Sequence, residues 1–163
     1  MSYCDANKVI MFQNKYPKLL NSITVDDVTK INKRNYIYIK KLGLNKSFNN
    51  VTLKCLPNLQ TLECGANKKF TNYGLKYLPN LQTLNCKANK NFTDHGLKYL
   101  PNLQTLNCGA NKNFTDDGLK YLPNFQTFYC WDNKNFTNHG LKYICRIFKH
   151  FIVIMTKNLQ MMV

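Results

Sequence analysis

The sequence predicts an α/β solenoid, in which a concave parallel β-sheet is backed by short helical or irregular segments on the convex side. Three observations predict it: a 22-residue unit recurs in succession, each unit contains a short alternating strand pattern, and each unit has helix start and stop signals. One unit can bury only half of a core, so successive units must stack as coils. The period is visible in three series: Leu53, Leu75, Leu97, Leu119 and Leu141; Pro57, Pro79, Pro101 and Pro123; and Cys64, Cys86, Cys108 and Cys130.

The strand of each coil is predicted from residues that alternate in character. Leu106 and Cys108 share one face of a strand, whereas Thr105 and Asn107 point to the other. We therefore expect the four repeating cysteines, called here the cysteine row, to be small buried apolar residues. No CxxC or HxxxH spacing occurs, and laterally adjacent residues of parallel strands are poorly placed for disulfides. We predict no metal site, no cofactor and reduced thiols.

The bend after each strand contains an asparagine. A buried asparagine there can satisfy turn backbone groups that no regular ladder reaches, in its own coil and in the next one. The predicted structural positions, called the asparagine row, are Asn67, Asn89, Asn111 and Asn133, with Asn45 as a fifth candidate.

The return segment of each coil has the signals of a short convex helix. Thr115 or Asp116 can serve as the N-cap of a helix that runs to Tyr121. Pro123 then stops the helix and imposes an extended entry to the next strand. Phe114, Leu119 and Leu122 are predicted to fill the core from the convex side.

One unit resembles the leucine-rich repeat family, whose pattern is LxxLxxLxLxxNxxL. The FTDxGLxxL segment is also similar to the convex half of the cysteine-containing repeats of F-box proteins. Near-identical copies rich in Asn, Lys and Tyr resemble the repeat proteins of giant DNA viruses of amoebae. The first resemblance implies a leucine-rich-repeat arc that binds a partner, and it rests on Leu100, Leu103, Leu106, Cys108, Asn111 and Phe114.

The pattern decays at both ends, as terminal repeats do. We predict an N-terminal cap with degenerate repeats over residues 1–52, four clear repeats over 53–142, and a degenerate terminal repeat and tail over 143–163. Before the clear repeats, a strand can use either Ile37 and Ile39 or Leu42 and Leu44. After them, His150 stands where a buried leucine is expected. Residues 151–155 then form a last edge strand, which needs a cap, a partner or a dimer mate.

The concave face is the predicted partner-binding surface, because its residues change from coil to coil while the core positions repeat. The middle strand slot is occupied in turn by Glu63, Asn85, Asn107, Tyr129 and Phe151, and the slot two residues later by Gly65, Lys87, Gly109, Trp131 and Val153. Exposed aromatic residues are typical binding anchors. The predicted anchors are Tyr129, Trp131, Phe151 and Lys87, and the predicted polar orienters are Gln104, Asn107 and Gln126. The alternative is that Tyr129 and Trp131 shield the open end of the core.

The net charge of +15 arises almost entirely from lysine. Lysine is a point charge and lacks the planar fork with which arginine reads guanine, so any nucleic-acid binding would not be sequence-specific. Two lysine rows repeat with the coils, and copying of the repeat unit alone would also produce them. The loop lysine row is Lys46, Lys68, Lys90, Lys112 and Lys134; the convex lysine row is Lys54, Lys76, Lys98, Lys120 and Lys142.

The function that we predict from these features is non-enzymatic binding of a protein or peptide on the concave sheet. The two alternatives are an F-box-like substrate adaptor of a ubiquitin ligase and non-specific binding of anions or nucleic acid through the lysine rows. No histidine lies at a spacing that would make a catalytic constellation, and catalytic residues are therefore not expected. No apolar run approaches the roughly 20 residues of a membrane span, and the first residues lack a signal-peptide pattern. We expect an intracellular, cytoplasmic protein, in the host cytoplasm if it is viral.

Overall fold

The computed structural model describes residues 24–25, 33–43, 48–65, 67–147 and 152–154, and the side chains of 33–43, 48–65 and 67–142. Its helices are a 3-10 helix, Lys33–Tyr38, followed by α1 (Asn50–Lys54), α2 (Asn72–Leu75), α3 (Asp94–Leu97), α4 (Asp116–Leu119) and α5 (Asn138–Ile147). Its strands are β1 (Thr24–Val25), β2 (Lys41–Leu42), β3 (Thr61–Glu63), β4 (Thr83–Asn85), β5 (Thr105–Asn107), β6 (Thr127–Tyr129) and β7 (Ile152–Ile154).

The described strands form one parallel sheet in which each strand pairs with the next along the chain, from β1 to β7. From β3 to β6 the partners lie 22 residues apart, as in the pairs Thr61 with Thr83 and Leu84 with Leu106. The short helices stack in the same order on the other side of the core. This arrangement confirms the predicted α/β solenoid.

The core lies between the sheet and the convex helices, and every coil contributes equivalent residues to it. The strand leucine Leu106, the return-segment residues Leu97 and Leu100, and the loop residue Phe114 are all almost completely buried. Burying a leucine or phenylalanine side chain stabilises the fold by about 1.5–3 kcal/mol. Because each of these side chains also packs on the next coil, the four clear coils share one continuous core.

The convex helix is shorter than the predicted span to Tyr121. Helix α4 ends at Leu119, and Thr115 caps it by accepting a hydrogen bond from the Asp117 N–H at 3.2 Å. The chain then tightens into turns in which the Tyr121 N–H bonds to the Gly118 carbonyl (3.2 Å) and the Leu122 N–H to the Leu119 carbonyl (3.1 Å). These i to i−3 bonds are typical of a helix end that leads into a proline.

At the amino-terminal side, the structure selects between the two predicted strands. Leu42 pairs with Leu62 and is fully buried, so the strand uses Leu42, and the Leu44 position lies outside the described residues. The alternative based on Ile37 is wrong, because Ile37 lies in the 3-10 helix and is 50% exposed. Ile39 is buried, but it precedes the strand.

The last coil departs from the predicted register. Val153 pairs with Phe128 and Ile154 with Tyr129, an offset of 25 residues in place of 22. The predictions that His150 takes the buried leucine position and that Phe151 follows Tyr129 in the middle slot are therefore wrong. The reason lies in α5, which has ten residues because Cys145 stands where the earlier coils have a helix-stopping proline. Phe151 itself lies outside the described residues.

Candidate binding surface on the concave sheet

Two rows of side chains line the concave surface between β3 and β6. The middle row consists of half-buried residues in direct register: Glu63, Asn85, Asn107 and Tyr129. The outer row follows two residues later in each coil: Gly65, Lys87, Gly109 and Trp131. The sheet thus brings six of the predicted binding residues onto three adjacent coils: Lys87, Asn107, Tyr129 and Trp131 in the two rows, and Gln104 and Gln126 at the entry to β5 and β6.

Trp131 leans back over its neighbours in the outer row. A Cβ atom built on Gly109 would lie 2.2 Å from the Trp131 Nε1 atom, so the indole occupies the space that a side chain would fill there. The Lys87 Nζ atom lies 4.6 Å from the centre of the Trp131 ring, within the range of a cation–π interaction. Lys87, Gly109 and Trp131 therefore form one contact unit across three coils, in which the indole is half-buried.

The repeat pattern predicts Lys87 and Trp131 as separate anchors, and the contact between them was not predicted. The available signal was the position of Gly109 in the outer row, between the two long side chains of Lys87 and Trp131. Gly109 is needed for close approach and not for its backbone angles, because no glycine in the described chain has a positive φ.

The middle-row amides hold the backbone of the outer row in place. The Lys87 N–H donates to the Asn85 side-chain oxygen at 3.3 Å, and the Gly109 N–H donates to that of Asn107 at 3.2 Å. Asn85 also donates from Nδ2 to the Glu63 carboxylate at 2.7 Å. Asn107, predicted as an orienter of a partner, thus already orients the chain that leads to Gly109.

The segment after each strand is also fixed by the next coil. The Ala88 N–H donates to the Gly109 carbonyl and the Ala110 N–H to the Trp131 carbonyl, both at 2.8 Å. Ala88, Ala110 and Asp132 have φ angles of 56°, 57° and 54°, in the left-handed region that ordinary residues adopt only at a cost of about 1–2 kcal/mol. The outer row therefore projects from a rigid turn.

The remaining predicted orienters lie beside these rows. The Gln126 N–H donates to the Gln104 carbonyl at 2.8 Å, which keeps the two glutamines in neighbouring coils. Gln104 is half-buried and Gln126 is exposed. Tyr129 lies next to Asn107 across the pairing of β5 with β6.

The cysteine row lies on the opposite, inward side of the strands. Cys64, Cys86, Cys108 and Cys130 are buried free thiols, and the Sγ atoms of Cys64 and Cys86 donate to the carbonyls of Asn85 and Asn107 at 3.4 Å. Burial raises the pKa of the first three thiols well above 9.0 and that of Cys130 to about 12. These thiols are protonated and unreactive at neutral pH.

No group of three or more His, Cys, Asp or Glu residues that could hold a metal ion exists within the described ranges. His95 and His139 are exposed on the convex side. A cavity of about 260 Å³ beside His95 is lined by Asp94, Asp117 and Lys120. Asp94 is hydrogen-bonded to Thr115, and Asp117 lies 3.9 Å from the Lys120 ammonium.

The asparagine row connects each coil to the preceding one. Asn111 is fully buried; its Nδ2 donates to the carbonyls of Asn89 (2.5 Å) and Phe92 (3.2 Å), and its side-chain oxygen accepts the Asn113 N–H at 3.0 Å. The bond to another coil runs to the preceding coil and not to the next, in contrast to the predicted direction. Equivalent bonds to the preceding coil are made by Asn67, Asn89 and Asn133.

A second connection, on the convex side, was missed in the sequence. The Asp94 carboxylate accepts hydrogen bonds from the N–H (3.0 Å) and hydroxyl (2.7 Å) of Thr115 in the following coil. A Cβ on Gly118 would lie 2.3 Å from the same carboxylate, which explains the glycine of the FTDxGL segment. The available signal was an Asn or Asp that recurs three residues before the first leucine of the next repeat, seen at Asn50, Asn72, Asp94 and Asp116.

None of the described helices has the length and apolar character needed to cross a membrane.

Comparison with known proteins identifies the fold. No family model and no curated protein matches the chain. Among solved structures, a chain of the Drosophila Toll–Spatzle complex is 19% identical with a TM-score of 0.58, over 78% of this chain and 18% of that one. A structure of the TLR13–ssRNA13 complex is 24% identical with a TM-score of 0.55, over 82% of this chain and 20% of that one.

These neighbours are leucine-rich-repeat proteins, and the protein has the leucine-rich-repeat solenoid fold. It spans about a fifth of the length of the solved chains that it matches.

Proposed function

We propose that the protein is a non-enzymatic interaction module that binds a protein or peptide on its concave sheet, with Trp131, Tyr129 and Lys87 as anchors. The observation that carries the proposal is the half-buried Trp131 indole, which lies over Gly109 and within cation–π distance of the Lys87 ammonium. The core leucines repeat from coil to coil, whereas this contact unit occurs once among the described coils.

The contact unit supplies both an apolar and a charged group. Tryptophan and tyrosine bury a large area with little loss of side-chain entropy, and for this reason they dominate binding hot spots. The turns that follow the strands hold the Trp131 backbone through the Ala110 N–H, so less ordering is required when a partner docks. Lys87 provides a cation beside the indole, and this combination fits a peptide with an apolar side chain next to a carboxylate.

The alternative that Trp131 shields the end of the core accounts less well for its position. The indole points back along the outer row toward Lys87 and Gly109, and β7 pairs with β6 on the side where the core would otherwise be open. The F-box-like adaptor activity and an edge-strand dimer through β7 stay predictions from the sequence. The five free cysteines of the described chain fit a reducing, intracellular location, which we likewise propose.

The test uses a displayed random peptide library that is panned against the folded protein. Peptides selected on the natural chain should bind the Trp131→Ala variant at least tenfold more weakly, as expected when a hot-spot residue contributing about 1.4 kcal/mol or more is truncated. Lys87→Glu, an exposed substitution, provides a second variant that leaves the core untouched.

The matched control is Tyr73→Ala on the convex face, where the Lys76 Nζ atom lies 3.4 Å from the Tyr73 ring centre and the tyrosine is 62% exposed. This variant removes an aromatic residue paired with a lysine but should retain the selected peptides. Equal affinity of the natural chain and both concave variants, with all variants folded by circular dichroism, would refute the concave site.

A further inference from the structure

The backbone of the loop lysine row is held by hydrogen bonds, whereas its side chains are exposed. Lys68, Lys90, Lys112 and Lys134 are exposed, and each follows directly after a residue of the asparagine row. The carbonyls of Lys68, Lys90 and Lys112 accept hydrogen bonds from asparagine side chains of the following coil at 2.6–2.7 Å, given by Asn91, Asn113 and Asn135. The coils therefore hold these lysines in a regular line.

The convex lysine row differs in what surrounds its charges. The Nζ atoms of Lys76, Lys98 and Lys120 lie 3.4, 5.0 and 5.3 Å from the ring centres of Tyr73, Tyr99 and Tyr121, and Lys120 also lies near Asp117. In the part of the chain that the structure describes, no such ring contact or ion pair involves the four loop lysines.

The described carboxylates form no ion pair with the loop lysine row. Within the described coils, Glu63 is bonded to Asn85, Asp94 and Asp116 are bonded to threonines, and Asp117 lies beside Lys120. Asp132 is the remaining described carboxylate near the loop edge, two residues before Lys134. Lysines on neighbouring coils, about 5 Å apart, repel each other by roughly 1 kcal/mol or less in water, and an anionic partner would relieve that repulsion.

We propose that the loop lysine row binds the sugar-phosphate backbone of a single-stranded nucleic acid without sequence preference. A nucleic-acid strand carries one negative charge on every nucleotide along its backbone. An extended acidic peptide, in contrast, projects successive carboxylates to opposite sides of its chain. Lysine point charges suit backbone contact, and the flanking residues Ala88, Asn91, Ala110 and Asn113 offer neither a guanidinium fork for base edges nor an aromatic ring for stacking.

The experiment measures binding of a fluorescent 20-nucleotide oligo-dT by anisotropy at several salt concentrations. Four phosphate contacts predict a slope of log Kobs against log[salt] of about −3, since each contact on a single strand contributes about −0.7. The triple variant Lys68→Gln/Lys90→Gln/Lys112→Gln should bind more weakly, with a slope reduced in magnitude by about 2.

The matched control is Lys76→Gln/Lys98→Gln/Lys120→Gln, which loses the same three charges from the convex row and should keep the natural slope. The Trp131→Ala variant should also bind oligo-dT normally, so this test succeeds or fails independently of the concave site. Salt-independent or absent binding, equal weakening in the two triple variants, or tighter binding of polyglutamate than of oligo-dT would overturn the proposal.

Discussion

The four clear coils and the last coil share a repeat pattern in sequence but differ in geometry. Helices α1 to α4 have four or five residues and lead into turns and a proline, and strands β3 to β6 pair with an offset of 22 residues. In the last coil, α5 has ten residues and the offset to β7 is 25. The sequence difference at the helix end is the replacement of a proline by Cys145.

The comparison shows which residues set the geometry of a coil. Counted with an offset of 25, Val153, Met155 and Asn158 fall at the sequence positions of Phe128, Cys130 and Asn133. The sequence pattern of the strand and bend positions therefore recurs at the new offset, and what changes is the length of the return segment. We infer that the proline sets helix length, whereas the bridging asparagines and the buried side chains set the stacking.

The largest effect is expected at the asparagine row, whose side chains hydrogen-bond each coil to the preceding one. Asn111→Ala leaves two buried carbonyls and the Asn113 N–H without their side-chain partner, so unfolding should require about 3 kcal/mol less free energy. Asn113→Ala removes one exposed bond to the Lys90 carbonyl and should cost about 1 kcal/mol. Urea denaturation measures both; similar small costs would show that the row does not hold the coils together.

A somewhat smaller effect is expected where the convex helices meet. Gly118→Ala places a Cβ against the Asp94 carboxylate and 3.0 Å from the Leu97 Cδ1 atom, so the strain should lower stability by about 2 kcal/mol. Gly65→Ala serves as the control, because its nearest contact is the Lys87 carbonyl at 3.1 Å, a tight but not impossible distance. Thermal denaturation should rank Gly118→Ala clearly below Gly65→Ala, and the reverse order would contradict the contact.

The cysteine row should make the stacked coils sensitive to alkaline pH. The unfolded chain releases the Cys130 proton near pH 9, whereas burial raises the folded pKa to about 12, so the folded state binds more protons and loses stability as the pH rises from 9 to 12. From pH 8 to 10, Cys130→Ala should lose about 1.4 kcal/mol less than the natural chain. Cys55→Ala, at an exposed cysteine, is the control. An unchanged pH dependence in Cys130→Ala would argue against a buried thiol.

The most local effect tests the difference between the coils most specifically. Cys145→Pro should end α5 near residue 144, because proline lacks the donor N–H and clashes with the preceding turn. Hydrogen exchange followed by NMR should then show loss of protection at the amides of Arg146 and Ile147, while Cys145→Ala retains it. Retained protection in Cys145→Pro would mean that packing, and not the missing proline, lengthens the helix.

The 22-residue repeat predicted the fold correctly wherever the repeat is unbroken. The 22-residue spacing correctly placed the register of β3 to β6, because the same alternation recurs in every coil and a slip would expose each strand leucine. The register of β7 was missed, since it depends on how far α5 continues. The absence of proline at Cys145 signalled that change, but its size depends on tertiary packing.

The candidate site was predictable in part. The concave location of Lys87 and Trp131 follows from strand alternation alone. The direction in which the indole leans does not, because it depends on the gap left by Gly109 and on a lysine two coils away. Likewise, the buried position of Asn111 follows from the repeat, but the direction of its bond to the preceding coil requires the three-dimensional path of the bend.

The most direct test of the stacked-coil architecture is the solvent protection of the cysteine row. A variant in which Cys4, Cys55 and Cys145 are replaced by serine retains only the four cysteines of that row. In the folded protein these thiols should react with a thiol-specific reagent only as fast as the chain opens, and all four should react at once in denaturant. Rapid modification of the four thiols under native conditions would contradict the inward-facing row and, with it, the outward placement of Trp131.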